Sequence, residues 1–310
     1  MPPDLLVPPL GVPGAAYAGA LIGLLIVATL VGILSVSLLG AARRPRRDLL
    51  AKWLTWAVIA PAWWLAAFTG PATVAILVTT FAVIGVNEFS RLVHLPNGHR
   101  LLLVAGALIA GVLSAWGPSA MLAMIPLLLL VGTLQPVVNA DVHAGMRHLA
   151  FGALGFAYLP VLLDHAVFLR SDGDPGAVLL FTIGIAVAFS DIGAYVVGRT
   201  FGRHPLTPTL SPNKTIEGLA GNLLGAALAV ALMWPILSSV PAWFLVTLPV
   251  VVAVGSVWGD LFESALKREF AVKDAGTWLP GFGGLLDRID SFVLVTPLVY
   301  YSLRAVGAGA

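Results

Sequence analysis

Long apolar runs alternate with short polar joints along this chain. They fall at about 15–40, 50–68, 71–90, 100–116, 118–136, 148–169, 176–198, 216–239, 241–266 and 288–307. A helix needs roughly 20 apolar residues to cross the hydrocarbon layer, and most of these runs approach or exceed that length. The pattern predicts an all-α, polytopic integral membrane protein with about nine or ten transmembrane helices. Only Thr69-Gly70-Pro71 separates the second run from the third, which leaves two helices or one re-entrant pair open there. The joints are short, and neither an internal repeat nor a low-complexity segment stands out. Residues 1–310 therefore read as one membrane domain.

Composition agrees. Of 310 residues, 59% are hydrophobic and 10% charged, against about 25% charged in an average soluble domain. The chain has no cysteine, which excludes a disulfide framework and a thiolate metal site. Met1 to Gly14 holds no Lys or Arg ahead of the first apolar run. Without a basic leader region this segment is expected to be retained.

The placement of charge says more than the net value of +2. With ten spans, Arg43, Arg44, Arg46, Arg47, Lys52, Arg91, Arg100, Arg147, Arg199, Arg203, Lys214, Lys267, Arg268, Lys273 and Arg288 share one side of the membrane. Arg170 and Arg304 fall on the other. Basic loops stay in the cytoplasm, so both termini are expected outside and the basic joints inside. The acids are also uneven: Asp191, Glu217, Asp260, Glu263, Glu269, Asp274, Asp287 and Asp290 lie between residues 190 and 290. Residues 1–175 thus read mainly as scaffold helices, and 176–310 as the helices and loops that carry chemistry.

Four groups stand out in that second half. In Ser190-Asp191-Ile-Gly193-Ala-Tyr195, Asp191 and Tyr195 are four apart and share a helical face. An acid at that depth must pair, bind metal or stay protonated. The loop from Gly198 leads to Ser211-Pro212-Asn213-Lys214-Thr215-Ile-Glu217. Ser211 before Pro212 resembles a helix cap with proline at the first helical position, a setting that suits a phosphate beside Lys214. Glu217 is placed to orient Lys214, and His204 reads as a solvated loop residue. On the run ending in Lys267-Arg268, Asp260, Glu263, Ser264 and Lys267 share one face. An i,i+4 pair of Glu263 with Lys267 would not explain Asp260 facing the same way. Last comes Lys273-Asp274, then Pro280-Gly281-Phe282-Gly283-Gly284 and Asp287-Arg288-Ile289-Asp290. Its glycines admit close backbone approach to a ligand, and its two acids on one turn fit Mg²⁺ shared with phosphate oxygens. Four bases and four acids between Ser264 and Ser291, beside hydrocarbon, suggest chemistry on a phosphate.

These residues resemble the phosphatidate cytidylyltransferase, or CDP-diacylglycerol synthase, family. Its signature, Ser-x-x-Lys-Arg, Lys-Asp, Pro-Gly-His-Gly-Gly and Asp-Arg-x-Asp, is matched by Ser264, Lys267, Arg268, Lys273, Asp274, Pro280, Gly281, Gly283, Gly284, Asp287, Arg288 and Asp290. Its upstream pattern is matched by Asp191, Gly193, Tyr195, Ser211, Lys214, Thr215 and Glu217, and Asn87-Glu88-Phe89 is a fainter echo. The strong resemblance covers about residues 185–292. One departure is Phe282, where the family has histidine; Phe can neither donate a hydrogen bond nor share a proton.

The resemblance implies transfer of CMP from CTP to phosphatidate, in a polar cavity facing the cytoplasm of a bacterial inner membrane. It implies Mg²⁺ held by Asp260, Asp287 and Asp290, as one ion or as two with the second divalent or monovalent. Lys267, Arg268, Asp274 and Arg288 take catalytic roles. Asp191, Tyr195, Ser211, Lys214, Thr215, Glu217, Ser264, Lys273, Gly283 and Gly284 bind substrate. The partners are CTP, phosphatidate or a related lipid phosphate, and the bilayer; no nucleic acid is expected, and a homodimer stays open. Three alternatives also stay open: a cytidylyltransferase for another lipid phosphate, a lipid transporter and a non-catalytic relative.

Overall fold

The apolar runs become helices because a backbone in hydrocarbon satisfies its polar groups most readily within its own segment. A computed structural model describes residues 46–138, 142–171, 174–237, 240–276, 278 and 283–305, together with 19 and 23. The expected first span, with Arg43 and Arg44, otherwise lies outside the described residues, as do Pro280, Gly281 and Phe282.

The described helices are α1 (Arg46–Thr69), α2 (Pro71–Leu92), α3 (Asn97–Leu113), α4 (Pro118–Leu122), α5 (Met124–Val138), α6 (Val142–Phe156), α7 (His165–Ser171), α8 (Asp174–Phe201), α9 (Ile216–Met233), α10 (Ala242–Glu269) and α11 (Leu286–Ala305). Six tracts among the described residues are long and apolar enough to cross a membrane: Pro71–Leu92, Asn97–Trp116, His143–Ser171, Gly176–Phe201, Ile216–Ile236 and Ala242–Glu269. Ala57–Thr69 and Pro118–Leu134 are shorter apolar helices. The 20-residue α11 carries Asp287, Arg288 and Asp290 near its start and Arg304 near its end. Gly70, with φ of 148°, separates α1 from α2, so the closely spaced second and third runs form two helices.

Contacts sort the helix ends into two sets. At one end Arg170 Nε donates to the Ala67 carbonyl at 2.6 Å, and His165 packs against Tyr300 and Tyr301. At the other, Phe270 packs against His94 and Phe151. This alternation matches the basic and non-basic joints read from the sequence.

The helices of the second half touch backbone to backbone. A Cβ placed on Gly193 of α8 would collide with the Gly221 carbonyl of α9, and one on Gly259 of α10 with the Asp290 carbonyl of α11. Small residues permit such close approach in membranes, where packing replaces the hydrophobic effect as the force between helices.

One expectation is corrected. Ser211 does not cap a helix: Pro205–Thr207 (β1) and Ser211–Thr215 (β2) pair as an antiparallel hairpin. The helix waits for Thr215, whose extended backbone (φ −124°, ψ 154°) and hydroxyl, accepting from Gly218 N at 3.1 Å, meet the cap requirement.

Candidate functional site

A cavity of about 740 Å³ opens between α8, α9, α10, the hairpin and the start of α11. Its size falls within the range of about 300–1,000 Å³ usual for small-molecule sites. Asp191, Tyr195 and Arg199 line it from α8; Asn213, Lys214 and Thr215 from β2; Gly218 and Asn222 from α9. Ser256, Asp260, Glu263 and Lys267 line it from α10, with Asp274 from the loop and Asp287, Arg288, Asp290 and Ser291 from α11. On α10 these positions are four, three and four apart, so one stripe of an otherwise apolar helix faces the cavity.

Because Gly259 lets α11 lie directly on α10, Asp290 reaches the acids of α10. One carboxylate oxygen each of Asp260, Glu263 and Asp290 lie within 4.8 Å of one another. Glu263 and Asp290 are buried. Glu263 Oε1 has no hydrogen-bond partner, although a buried acceptor ordinarily finds one. Three converging hard oxygen donors, one of whose carboxylates has a buried oxygen without a partner, fit a divalent cation such as Mg²⁺.

Cations balance this set. Lys267 Nζ donates to Glu263 Oε2 and to Asp287 Oδ1, each at 2.7 Å. Lys214 on the hairpin pairs with Asp260, joining β2 to α10. Ser264 Oγ donates to Asp260 Oδ1 at 3.3 Å, and Ser256 Oγ to Asp191 Oδ1 at 3.0 Å. Asp290 Oδ1 accepts from Ser291 N at 2.8 Å.

Asp287, expected with Asp260 and Asp290 as a metal ligand, has both oxygens engaged. Besides Lys267 on Oδ1, Ala275 N and Gly284 N donate to Oδ2 at 3.1 and 2.9 Å. It ties the Gly-rich loop to the start of α11, and Glu263 stands beside Asp260 and Asp290 in the triad. Gly283, with φ of 87°, makes the turn into that loop.

Other expected residues sit as follows. Tyr195 OH accepts from Arg199 Nη1 at 2.6 Å on the cavity wall. Glu217 does not orient Lys214: it accepts from His204 Nδ1 at 2.6 Å and from the Arg203 and His204 backbone N–H groups, fixing the loop before the hairpin. His204 is a solvated loop residue, its side chain 73% exposed. Arg268 Nε donates to the Leu210 carbonyl at 3.2 Å, bracing the hairpin tip. Arg268, Lys273, Ser264, Ser211, Glu217, Gly283 and Gly284 do not line the cavity itself.

Sequence reasoning passed over several contributors. The sequence places Glu263 on the stripe with Asp260, Ser264 and Lys267, but not among the metal ligands. Ser256 is marked by its place four residues before Asp260 on the same stripe. Asn222 lines the cavity, and its buried Oδ1 has no partner; nothing in the sequence distinguishes it from a helix-packing polar residue. Glu88 of α2, visible in the sequence only as part of the fainter Asn87-Glu88-Phe89 echo, is buried, and its two oxygens accept from Leu285 N at 3.1 Å and Leu286 N at 2.8 Å.

Fold and site together define a polytopic helical membrane protein with a cavity of clustered acids and bases at one end. Residues 50–306 match the model of the cytidylyltransferase family, and the chain belongs to that family. Among curated proteins it is similar to the phosphatidate cytidylyltransferase of Bacillus subtilis (strain 168), 37% identical over 155 residues, which cover 49% of this chain and 57% of that protein. The protein of the same name from Staphylococcus haemolyticus is 38% identical over 151 residues, 48% of this chain and 57% of the relative. That of Mycobacterium leprae is 41% identical over 147 residues, 47% of this chain and 46% of the relative. The chain thus spans about half the length of the curated relatives it matches.

Proposed function

We propose that this protein transfers CMP from CTP to phosphatidate, giving CDP-diacylglycerol and pyrophosphate. The observation that carries this reading is the cavity in which the Asp260, Glu263 and Asp290 oxygens converge within 4.8 Å while Lys214, Lys267 and Arg288 share the same walls. The names of the relatives support the choice of substrates.

An oxygen of the lipid phosphate attacks the α-phosphorus of CTP. The bond from that phosphorus to the bridging oxygen breaks, and its electron pair leaves with pyrophosphate. A phosphate monoester is largely dianionic at neutral pH, its second pKa being about 6. No side chain therefore has to remove a proton, and catalysis rests on positioning and charge neutralisation. Lys214, Lys267 and Arg288 neutralise the phosphates, with Arg268 holding the hairpin that carries Lys214. Asp191 and Tyr195 form the opposite wall, Ser264 steadies Asp260, and Thr215 caps the helix behind Lys214. Glu217 and Ser211 hold the hairpin. Lys273, Asp274, Gly283 and Gly284 shape the loop over the phosphates.

Asp260, Glu263 and Asp290 are the residues that would hold Mg²⁺, with Asp287 organising the loop beside them. When bound, such an ion neutralises phosphate charge and polarises phosphoryl oxygens. The basic end of the bundle faces the cytoplasm, where CTP resides, in the inner membrane of a bacterium. The lipid enters sideways between helices, with its phosphate toward the polar wall.

The test is incorporation of radiolabelled CTP into chloroform-extractable lipid by purified protein with phosphatidate and Mg²⁺, and with EDTA as control. Labelled CDP-lipid that disappears with EDTA and returns with Mg²⁺ is the expected result. Absence of product from folded, CTP-binding protein would overturn the choice of phosphatidate. A panel of other lipid phosphates, motivated by Phe282, would then follow.

A further inference from the structure

Glu88 belongs to α2, far in sequence from the acids and bases of the cavity. Yet its carboxylate is buried against the loop that precedes α11, with Oε1 accepting from Leu285 N and Oε2 from Leu286 N. Two free N–H groups at a helix start are what a carboxylate is suited to receive, and here the acceptor comes from another helix. The seat is tight on both sides. A Cβ on Gly284 would come within 2.9 Å of Glu88 Oε2, and one on Gly276 would collide with Oε1. The loop thus carries glycine at the two points where it passes the carboxylate.

Asp287 completes the arrangement from within α11, accepting from Ala275 N and Gly284 N. Between them, the two carboxylates receive the three consecutive amides of Gly284, Leu285 and Leu286, together with that of Ala275 earlier in the loop. Glu88 neither lines the cavity nor belongs to the convergent triad. Its leverage is geometric, because Leu286 is the first residue of α11 and Asp287, Arg288 and Asp290 follow within its first turn and a half.

We propose that Glu88 is a positioning residue: it clamps the start of α11 so that Asp290 meets Asp260 and Glu263, and Asp287 meets Lys267. This rests on the reading that the cavity performs nucleotidyl transfer. The variant that tests it is Glu88→Gln. It keeps the shape and one acceptor but turns an NH₂ group toward an N–H donor.

Two readouts are needed, one independent of turnover. In hydrogen exchange with mass spectrometry on the detergent-solubilised full chain, Glu88→Gln should exchange faster at the segment ending in Leu285 and Leu286. Protection in α8, α9 and α10 should stay unchanged. In the CTP incorporation assay, kcat should fall about tenfold or more, with a smaller change in KM for CTP. Gly284→Ala, which presses on the clamp from the loop side, should reproduce both effects. Unchanged exchange at Leu285 and Leu286 in Glu88→Gln overturns the clamp, whether or not the wild type turns over. Locally faster exchange with full turnover overturns the positioning role. A wild type without CDP-lipid product counts against the activity reading alone, since the exchange experiment then still decides the clamp.

Discussion

Two buried acids occupy opposite ends of this bundle, and they differ in company. Glu263 and Asp164 are each 1% exposed. Glu263 accepts from Lys267, stands with Asp260 and Asp290, and lines an open cavity. Asp164 lies just after the irregular turn Ala157–Val161, between α6 and α7, in a stretch of buried apolar residues, and its Oδ2 has no partner. Beside it His165 donates from Nδ1 to the Val161 carbonyl at 2.9 Å and packs against Phe168, Tyr300 and Tyr301. Burial of an acid is thus not the mark of the site. The mark is several acids held together, sharing cations and facing space that a ligand can fill.

The largest effect should come from removing a member of the converging set. Asp290→Ala leaves Asp260 and Glu263 without the donor from α11, and turnover should fall at least about 10³-fold, near the upper range for losing a preorganised electrostatic contact. The protein should remain in the membrane, because Asp290 sits at the head of an intact apolar helix. Near-normal incorporation of labelled CTP by this variant would sink the metal assignment.

Lys267→Met should come next. Its ammonium touches Glu263 and Asp287 at 2.7 Å each, so its loss leaves two buried carboxylates without their shared cation. Removing one partner from a buried pair costs about 3–5 kcal/mol. Turnover should drop about 10²-fold, and the melting temperature in detergent should fall as well. Asp290→Ala should not lower it in the same way, since removing one of several crowded acids relieves repulsion. If Lys267→Met melted like the wild type, Lys267 would be a substrate contact and not a strut of the acid cluster.

Much of this contrast was legible in the sequence. The apolar runs and the basic joints gave the helices and their alternation, since hydrocarbon thickness and charge placement leave few choices. The stripe Asp260, Glu263, Lys267 was visible by helical spacing alone. The partners across helices were not. Asp290 meets Asp260 because Gly259 admits α11, and Glu88 meets Leu285 across 197 residues of chain; a one-dimensional pattern carries no sign of either. The hairpin at Ser211–Thr215 was mistaken for a helix start because Ser-Pro satisfies the local cap rule. Pairing with Pro205–Thr207 overrides it, and Thr215 takes the cap.

The smallest effect is expected at Asp164→Asn, and it tests the comparison from the other side. The change keeps shape and volume, removes only the chance of a charge, and touches no group that lines the cavity. Turnover should stay within about twofold of wild type, because additive behaviour is the rule for distant sites without shared partners. Stability should hold or rise slightly, since an amide in an apolar setting carries no ionised form to desolvate. A loss of turnover comparable to that of Asp290→Ala, with normal melting, would break the comparison: it would mean that the two ends are coupled through α11, whose Thr296 Oγ1 already donates to the Leu162 carbonyl at 3.1 Å beside Asp164.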